Sequence, residues 1–243
     1  QLLYFFESIR NPVLNAVFSV ITLLGEETAF MAVAIIFFWC VSKMSGYFLL
    51  ITGFIGTVIN QFLKMIFRIP RPWLLDENFT IVESARKGAS GYSFPSGHTQ
   101  SSVALFGGIA RTQKHTAVRW TAIAICILVP LSRMYLGVHT PLDVSVSIVI
   151  ALAIVFGGYP LFQKIEQKPS IMYIIIGVLA VLVISFLIYI YAFPFPENVF
   201  APQNIHNLES ARQNAFTMLG CVLGLAVIYP VEKKFINFET KAV

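Results

Sequence analysis

The chain has 243 residues, of which 57% are hydrophobic and only 12% are charged. Soluble globular domains carry about 25% charged residues, so this composition excludes an ordinary soluble domain and predicts a polytopic membrane protein. The formal net charge is +5, but the basic residues form no long run or stripe, and nucleic acid is not an expected partner. No polar stretch is long enough for a second domain, which predicts one all-α transmembrane helical bundle over residues 1–243.

The first 24 residues are apolar but interrupted. Glu7, Arg10, Asn11 and Pro12 break the apolar run, so we expect an amphipathic helix at the membrane interface rather than a span. Residues 1–24 also lack a basic start and a small-residue cleavage site, and no cleavable signal peptide is predicted.

Further along, apolar segments long enough for helices that cross a bilayer alternate with polar connections. They predict about six to seven spans, at residues 24–42, 46–67, 97–111, 117–136, 141–162, 171–193 and 212–231. The segment 97–111 is short and starts with His98, Thr99 and Gln100, so we expect it to face the interior of the bundle rather than lipid.

The basic residues of the connections predict the orientation of the bundle. Alternating spans place on one side Lys43, Arg111, Lys114, Arg119, Lys164, Lys168, Lys233, Lys234 and Lys241. The other side carries, apart from the polar clusters described next, Arg10, Arg68, Arg86, Lys87 and Arg212. Because cytoplasmic connections carry the excess of Lys and Arg, the first side is predicted to be cytoplasmic. The loop 194–211 then lies outside as a candidate cap for a pocket, and His206 within it is not expected to be catalytic.

Three short polar clusters stand at the ends of the apolar segments. The first joins Lys64 to Arg71-Pro72, the second is Pro95-Ser96-Gly97-His98, and the third runs from Ser132-Arg133 through His139 to Asp143. Alternating spans bring all three clusters to the side that is predicted to be extracytoplasmic.

Two of these clusters have the marks of helix starts. Ser96 is a good N-cap, and Gly97 lets a ligand approach the backbone closely, where unpaired N–H groups and the helix dipole favour an anion. Pro141 suits the first position of the next helix, and His139 and Asp143 are four residues apart on one face. Asp143 can therefore accept a hydrogen bond from one ring nitrogen of His139, which makes the other nitrogen more nucleophilic.

The residue types together indicate phosphate chemistry. Three cations around one point, Lys64, Arg71 and Arg133, suit a dianionic phosphate. One oriented histidine can attack phosphorus, and a second histidine can protonate the leaving oxygen. One carboxylate and two histidines offer few ligands for a metal ion, and the surrounding cations would repel it. No metal and no other cofactor is therefore expected.

The pattern Lys-x6-Arg-Pro, Pro-Ser-Gly-His and Ser-Arg-x5-His-x3-Asp resembles that of the type 2 phosphatidic acid phosphatase superfamily. The superfamily includes glucose-6-phosphatase, sphingosine-phosphate phosphatases, polyprenyl-diphosphate phosphatases and soluble vanadium haloperoxidases. All three motifs stand in order with no departure at their fixed positions. The resemblance covers a core at residues 46–162 and leaves the flanks, 1–45 and 163–243, without a motif.

The resemblance implies a role for each motif residue. His139 would be the nucleophile that forms a phosphohistidine, Asp143 would orient it, and His98 would be the general acid for the leaving group. The phosphate oxygens would be held by Lys64, Arg71, Ser96, Gly97 and Arg133. The family works without a metal.

The function predicted is that of an integral membrane phosphatase for a lipid-linked phosphate or diphosphate, in the cell membrane with its site on the extracytoplasmic face. The motif residues bind the phosphate and do not specify the lipid tail. They therefore fit a polyprenyl diphosphate, a phosphatidic or phosphatidylglycerol phosphate, or a sphingoid phosphate. The alternatives are a phosphotransferase, a lipid transporter that kept the fold without the chemistry, and a haloperoxidase, against which the membrane segments argue. The sequence indicates no oligomeric state.

Overall fold

The computed structural model describes residues 1–165, 167–193 and 201–240. Helices account for the regular structure of this part of the chain, which contains no strand, so the all-α class is confirmed. The α-helices are α1 (Leu2–Ser8), α2 (Pro12–Leu23), α3 (Glu27–Ile36), α4 (Lys43–Phe67), α5 (Pro72–Leu75), α6 (Gly97–Thr112), α7 (Thr116–Tyr135), α8 (Pro141–Ile165), α9 (Ser170–Ala192) and α10 (Ala201–Val231). Short π-helical turns, Phe37–Val41 and Glu232–Ile236, follow α3 and α10.

Five stretches of the described chain are long and apolar enough to cross a membrane, namely Lys43–Leu75, Thr116–Tyr135, Pro141–Ile165, Ser170–Ala192 and Asn204–Ile236. A sixth arises if Pro12–Leu23 and Glu27–Val41, which meet at 51°, count as one bent span. The number is below the seven predicted segments because α6 has only 16 residues. Most of α6 is buried, which confirms that this helix faces the interior.

The N-terminal residues form two helices where a single interfacial helix was predicted. The Asn11 side chain accepts a hydrogen bond from the backbone N–H of Leu14, and Pro12 occupies the first helical position. Both features start a new helix, which is why the chain breaks between α1 and α2. Both helices contact α7.

Part of the predicted loop 194–211 is helical in the structure. Helix α10 begins at Ala201, so its first eleven residues were expected to be loop. The polar residues there suggested a connection, but none is a strong helix breaker after Pro202, which stands in the first turn where proline is tolerated. Residues 194–200 of the predicted loop lie outside the described residues.

Helix α6 lies at the centre of the bundle and packs against α4, α7 and α8. Helices α9 and α10 pack on each other and on α4, and α9 also contacts α8. Helix α4 ends at Phe67, where Arg68 takes a left-handed conformation with φ of 50°. Pro70 and Pro72 follow at once, as expected of a helix that cannot continue. This arrangement brings the end of α4 and the starts of α6 and α8 together.

Candidate active site

The three polar clusters converge at one end of the bundle. Lys64 lies in the last turn of α4, Ser96 caps α6, and Arg133 lies in the last turn of α7. His139 stands just before α8, and Asp143 lies in its first turn. The backbone N–H of Ser96 donates to the backbone carbonyl of Asp143 at 3.2 Å, which joins the second cluster to the third. All of these side chains are buried.

His139 contacts a guanidinium and a carboxylate through its two ring nitrogens. Nη1 of Arg71 lies 2.9 Å from Nε2, and Oδ2 of Asp143 lies 3.4 Å from Nδ1. Because arginine has only donors, Nε2 must be the acceptor, and the proton of a neutral ring then sits on Nδ1 beside the carboxylate. In this tautomer the lone pair of the ring is on Nε2, the nitrogen that accepts from Arg71 and that would attack an electrophile.

Asp143 is itself held in place by two donors. Its Oδ2 accepts hydrogen bonds from the hydroxyl of Ser93 at 2.6 Å and from the backbone N–H of Thr140 at 2.8 Å. The distance to Nδ1 is longer than that of a good hydrogen bond, and Nδ1 makes none among the described residues. The carboxylate therefore faces the ring and orients it electrostatically.

Burial and positive charge keep His139 neutral. The pKa of His139 is lowered well below its usual range, first by burial and then by the nearby charges of Arg71, Arg133 and Lys64, with His98 contributing. A neutral imidazole is the form that a nucleophile requires.

Backbone carbonyls of the loop before α6 fix two of the cations. Nζ of Lys64 donates to the carbonyl of Tyr92. Arg71 donates through Nε to the carbonyl of Gly91 at 3.1 Å and through Nη2 to that of Ser90 at 2.7 Å. Gly91 has φ of 70°, a conformation that favours glycine and turns these carbonyls toward the cations. The loop thus positions the cations of the first cluster.

Only one of the three guanidinium nitrogens of Arg133 donates a hydrogen bond within the described part of the chain. Nη1 donates to the hydroxyl of Thr22 at 2.8 Å, whereas Nε and Nη2 are buried with no hydrogen-bond partner among the described residues. Buried unpaired donors of a charged group are costly, so an anion beside them would be strongly stabilised.

The start of α6 has the form expected of an anion site. The Ser96 hydroxyl accepts a hydrogen bond from the N–H of Thr99, which confirms Ser96 as the N-cap. A Cβ placed on Gly97 would meet only Asn60 Oδ1, at 3.9 Å, so this face of the backbone is open. The ring of His98, half-buried, lies near Gly88, with Nε2 3.9 Å from the position of a Cβ there.

The residues predicted as site residues are therefore brought together, while the roles assigned to them remain predictions. Sequence reasoning missed Ser93, which lies close to the second cluster in the chain but carries no motif signal. It also missed Thr22 and the carbonyls of residues 90–92, because long-range packing places them. Among the described residues, no group of three or more His, Cys, Asp or Glu side chains is arranged to hold a metal ion.

Comparison with known proteins gives a consistent set of relatives. A family model described as the PAP2 superfamily matches residues 44–167, about half of the chain and close to the predicted core. Undecaprenyl-diphosphatase BcrC of Bacillus subtilis (strain 168) is 33% identical over 106 residues, 44% of this chain and 52% of that protein. Phosphatidylglycerophosphatase B of the same organism is 29% identical over 172 residues, 65% of this chain and 80% of that protein. The chain thus spans about half the length of the first of these relatives.

A third relative and two solved structures extend the comparison. A probable sphingosine-1-phosphate phosphatase of Dictyostelium discoideum is 28% identical over 159 residues, 60% of this chain and 38% of that protein. The crystal structure of Aquifex aeolicus LpxE has a TM-score of 0.57 at 25% identity, covering 65% of this chain and 93% of that one. A transmembrane PAP2-type phosphatidylglycerolphosphate phosphatase from Bacillus subtilis has a TM-score of 0.56 at 28% identity, covering 69% and 83%.

Proposed function

The chain belongs to the PAP2 superfamily, and from this premise we propose that it is an integral membrane phosphatase for a lipid-linked phosphate or diphosphate. The names of its relatives support this substrate class, since they include phosphatases of an isoprenoid diphosphate, a phosphatidylglycerol phosphate and a sphingoid phosphate. The polar site at one end of an apolar bundle suits a substrate whose tail lies in the bilayer and whose phosphate lies at the surface.

The proposed reaction has two steps. Nε2 of His139 attacks phosphorus and the bond to the leaving oxygen breaks. His98, protonated once the phosphate dianion offsets the surrounding cations, donates its proton to that oxygen. Water then attacks the phosphohistidine, gives its proton to His98 and releases phosphate, which restores both histidines. Lys64, Arg71 and Arg133 stabilise the charge on the phosphoryl oxygens, with the hydroxyl of Ser96 and the backbone N–H of Gly97. No step uses a metal.

The observation that carries this proposal is the pair of contacts made by His139. A guanidinium donates to Nε2, and a carboxylate faces Nδ1. A ring held in this tautomer has its lone pair directed at a cation, which is also where a phosphate would bind. The reacting nitrogen and the anion site are therefore adjacent.

The proposal includes a location. We place the protein in the cell membrane with its site on the extracytoplasmic face, in contact with membrane lipids. The excess of basic residues at the opposite end of the bundle supports this orientation. Hydrolysis would then release phosphate outside the cytoplasm.

The test is a phosphate-release panel on the purified full chain in detergent micelles. The substrates are undecaprenyl diphosphate, phosphatidylglycerol phosphate and sphingosine 1-phosphate, each measured with excess chelator and with vanadate. We expect release from at least one substrate, unchanged by chelator and inhibited by vanadate. His139→Ala should abolish release because no other described side chain replaces the nucleophile.

His115→Ala is the matched control, since His115 is an exposed histidine next to a helix start outside the site. It should retain the wild-type rate. Full turnover by a folded His139→Ala variant would overturn the mechanism, and a loss in chelator that magnesium restores would overturn its metal independence. Transfer of phosphate to an added alcohol in preference to water would instead identify a phosphotransferase.

A further inference from the structure

The bend between α2 and α3 lies outside residues 44–167, yet it touches two motif residues. Thr22 is the one buried residue of α2, all of which the structure describes. Its hydroxyl accepts the 2.8 Å hydrogen bond from Nη1 of Arg133, which is only 1% exposed. Most side chains of this helix are apolar, yet the buried one is polar. Its burial therefore indicates a specific hydrogen-bond partner rather than general packing.

The hydrogen bond to Thr22 determines which edge of Arg133 remains available. Nη1 is occupied, while Nε and Nη2 are buried without a partner in the described part of the chain. Nε and Nη2 lie on one edge of the planar guanidinium. Such an edge can donate two parallel hydrogen bonds to two phosphate oxygens. The Thr22 contact therefore fixes the rotation of the guanidinium and leaves Nε and Nη2 free to donate to an anion.

Gly25, at the bend itself, packs against the backbone of the second motif. A Cβ on Gly25 would lie 2.9 Å from the carbonyl oxygen of His98 and 2.9 Å from Cγ1 of Val129. These distances are too short for any other residue unless the start of α6 moves. The bend is thus in contact with the helices that carry both His98 and Arg133.

We propose that Thr22 is a positioning residue of the phosphatase site, whose hydroxyl holds Arg133 so that Nε and Nη2 bind the phosphate. The N-terminal bend of the chain, Thr22 to Glu26, then completes a site whose other residues all come from the superfamily core. This inference rests on the proposed function, since it assumes that Arg133 binds the phosphate. Thr22 acts through Arg133 and touches no reacting atom.

The test compares Thr22→Val, Thr22→Ala and Thr22→Ser in the full chain in detergent. The probe is inorganic vanadate, read out both as inhibition of phosphate release and as the rise in unfolding temperature that it causes in the absence of substrate. Removing a hydrogen bond to a charged group should weaken vanadate about tenfold and lower kcat/KM to a similar extent. Thr22→Ser keeps the hydroxyl and should restore both quantities.

Thr52→Val is the matched control. Thr52 is also buried in a helix, but its hydroxyl donates to the carbonyl of Phe48 within its own helix, so vanadate affinity should not change. Wild-type vanadate affinity in either hydroxyl-free variant, or a loss in Thr22→Ser as large as in Thr22→Val, would overturn the positioning role. Vanadate that fails to stabilise the wild type would overturn it as well. Stabilisation by vanadate without release from any lipid would instead count against the proposed function alone.

Discussion

Asp143 offers the most direct test of the site at the level of a single residue. Its carboxylate faces Nδ1 of His139 and is fixed by Ser93 and Thr140. Asp143→Asn keeps the shape but removes the negative charge, because the amide oxygen takes the place of Oδ2 beside the donors Ser93 and Thr140. The positive charge that develops on the His139 ring during attack is then no longer stabilised, and we expect phosphate release to fall about a hundredfold or more. Initial rates on the preferred substrate measure this.

Two further variants distinguish orientation from general charge. Ser93→Ala removes one of the two donors that hold the carboxylate and should lower the rate less, by about tenfold. Asp76→Asn is the control, because Asp76 accepts a hydrogen bond from Tyr4 in a contact outside the cluster. Equal rates for Asp143→Asn and the wild type would contradict an orienting role for this carboxylate.

Contacts between single residues were predictable from the sequence where the two residues lie only a few positions apart. His139 and Asp143 are four residues apart, and the structure places Oδ2 near Nδ1, although His139 precedes the first helical residue, Pro141. The partners contributed by other elements were not predictable. Ser93 is 50 residues from Asp143 and Thr22 is 111 from Arg133, so only the packing of separate helices brings them together.

Among the helices, α4 approaches the backbone of the π-helical turn that precedes it very closely at Gly46. A Cβ on Gly46 would lie 2.4 Å from the Cα of Phe38 and 2.7 Å from its backbone nitrogen. Backbone atoms cannot move aside as the end of a long side chain can. Gly46→Ala should therefore destabilise the protein by roughly 1–3 kcal/mol, the usual cost of overpacking a well-filled core. Thermal unfolding in detergent would show it as a lower midpoint.

Gly220→Ala provides the comparison for that measurement. Gly220 is exposed in α10, and a Cβ there would contact nothing within 4 Å. Alanine is the better helix former, so this variant should match or exceed the wild-type stability by up to about 1 kcal/mol. A Gly46→Ala midpoint as high as that of Gly220→Ala would show that the turn at Phe38 tolerates the extra carbon.

The ends of a helix were predictable where capping residues or prolines next to those ends mark them. Ser96 and Pro141 start α6 and α8 at the predicted positions, and the prolines after Phe67 coincide with the end of α4. The start of α10 was missed because its first turns are polar, and polarity alone does not separate a surface helix from a loop. Those turns reach the site loop, where Tyr92 donates to the Asn204 side chain at 2.9 Å.

For the whole molecule, the decisive property is which side of the membrane holds the site. The structure places the site residues at one end of the bundle. Lys43, by contrast, pairs with Glu232 at 2.5 Å, and Phe38 packs on Phe238, so the end of the described chain lies beside the start of α4. Lys64 is about 30 Å away at the other end of α4, the rise of some 21 helical residues. The site and the basic C-terminal segment therefore lie near opposite surfaces.

Labelling of single cysteines in intact cells tests the proposed orientation. Cys40, Cys126 and Cys221 are first replaced by serine, and Lys87→Cys or Lys114→Cys is added, both at exposed connections. Lys87 lies in the loop between α5 and α6, whose carbonyls accept from site cations, whereas Lys114 lies between α6 and α7 at the opposite end. A membrane-impermeant maleimide should label Lys87→Cys directly and Lys114→Cys only after permeabilisation. The reverse pattern would place the site in the cytoplasm, where it would meet lipid phosphates of the inner leaflet instead.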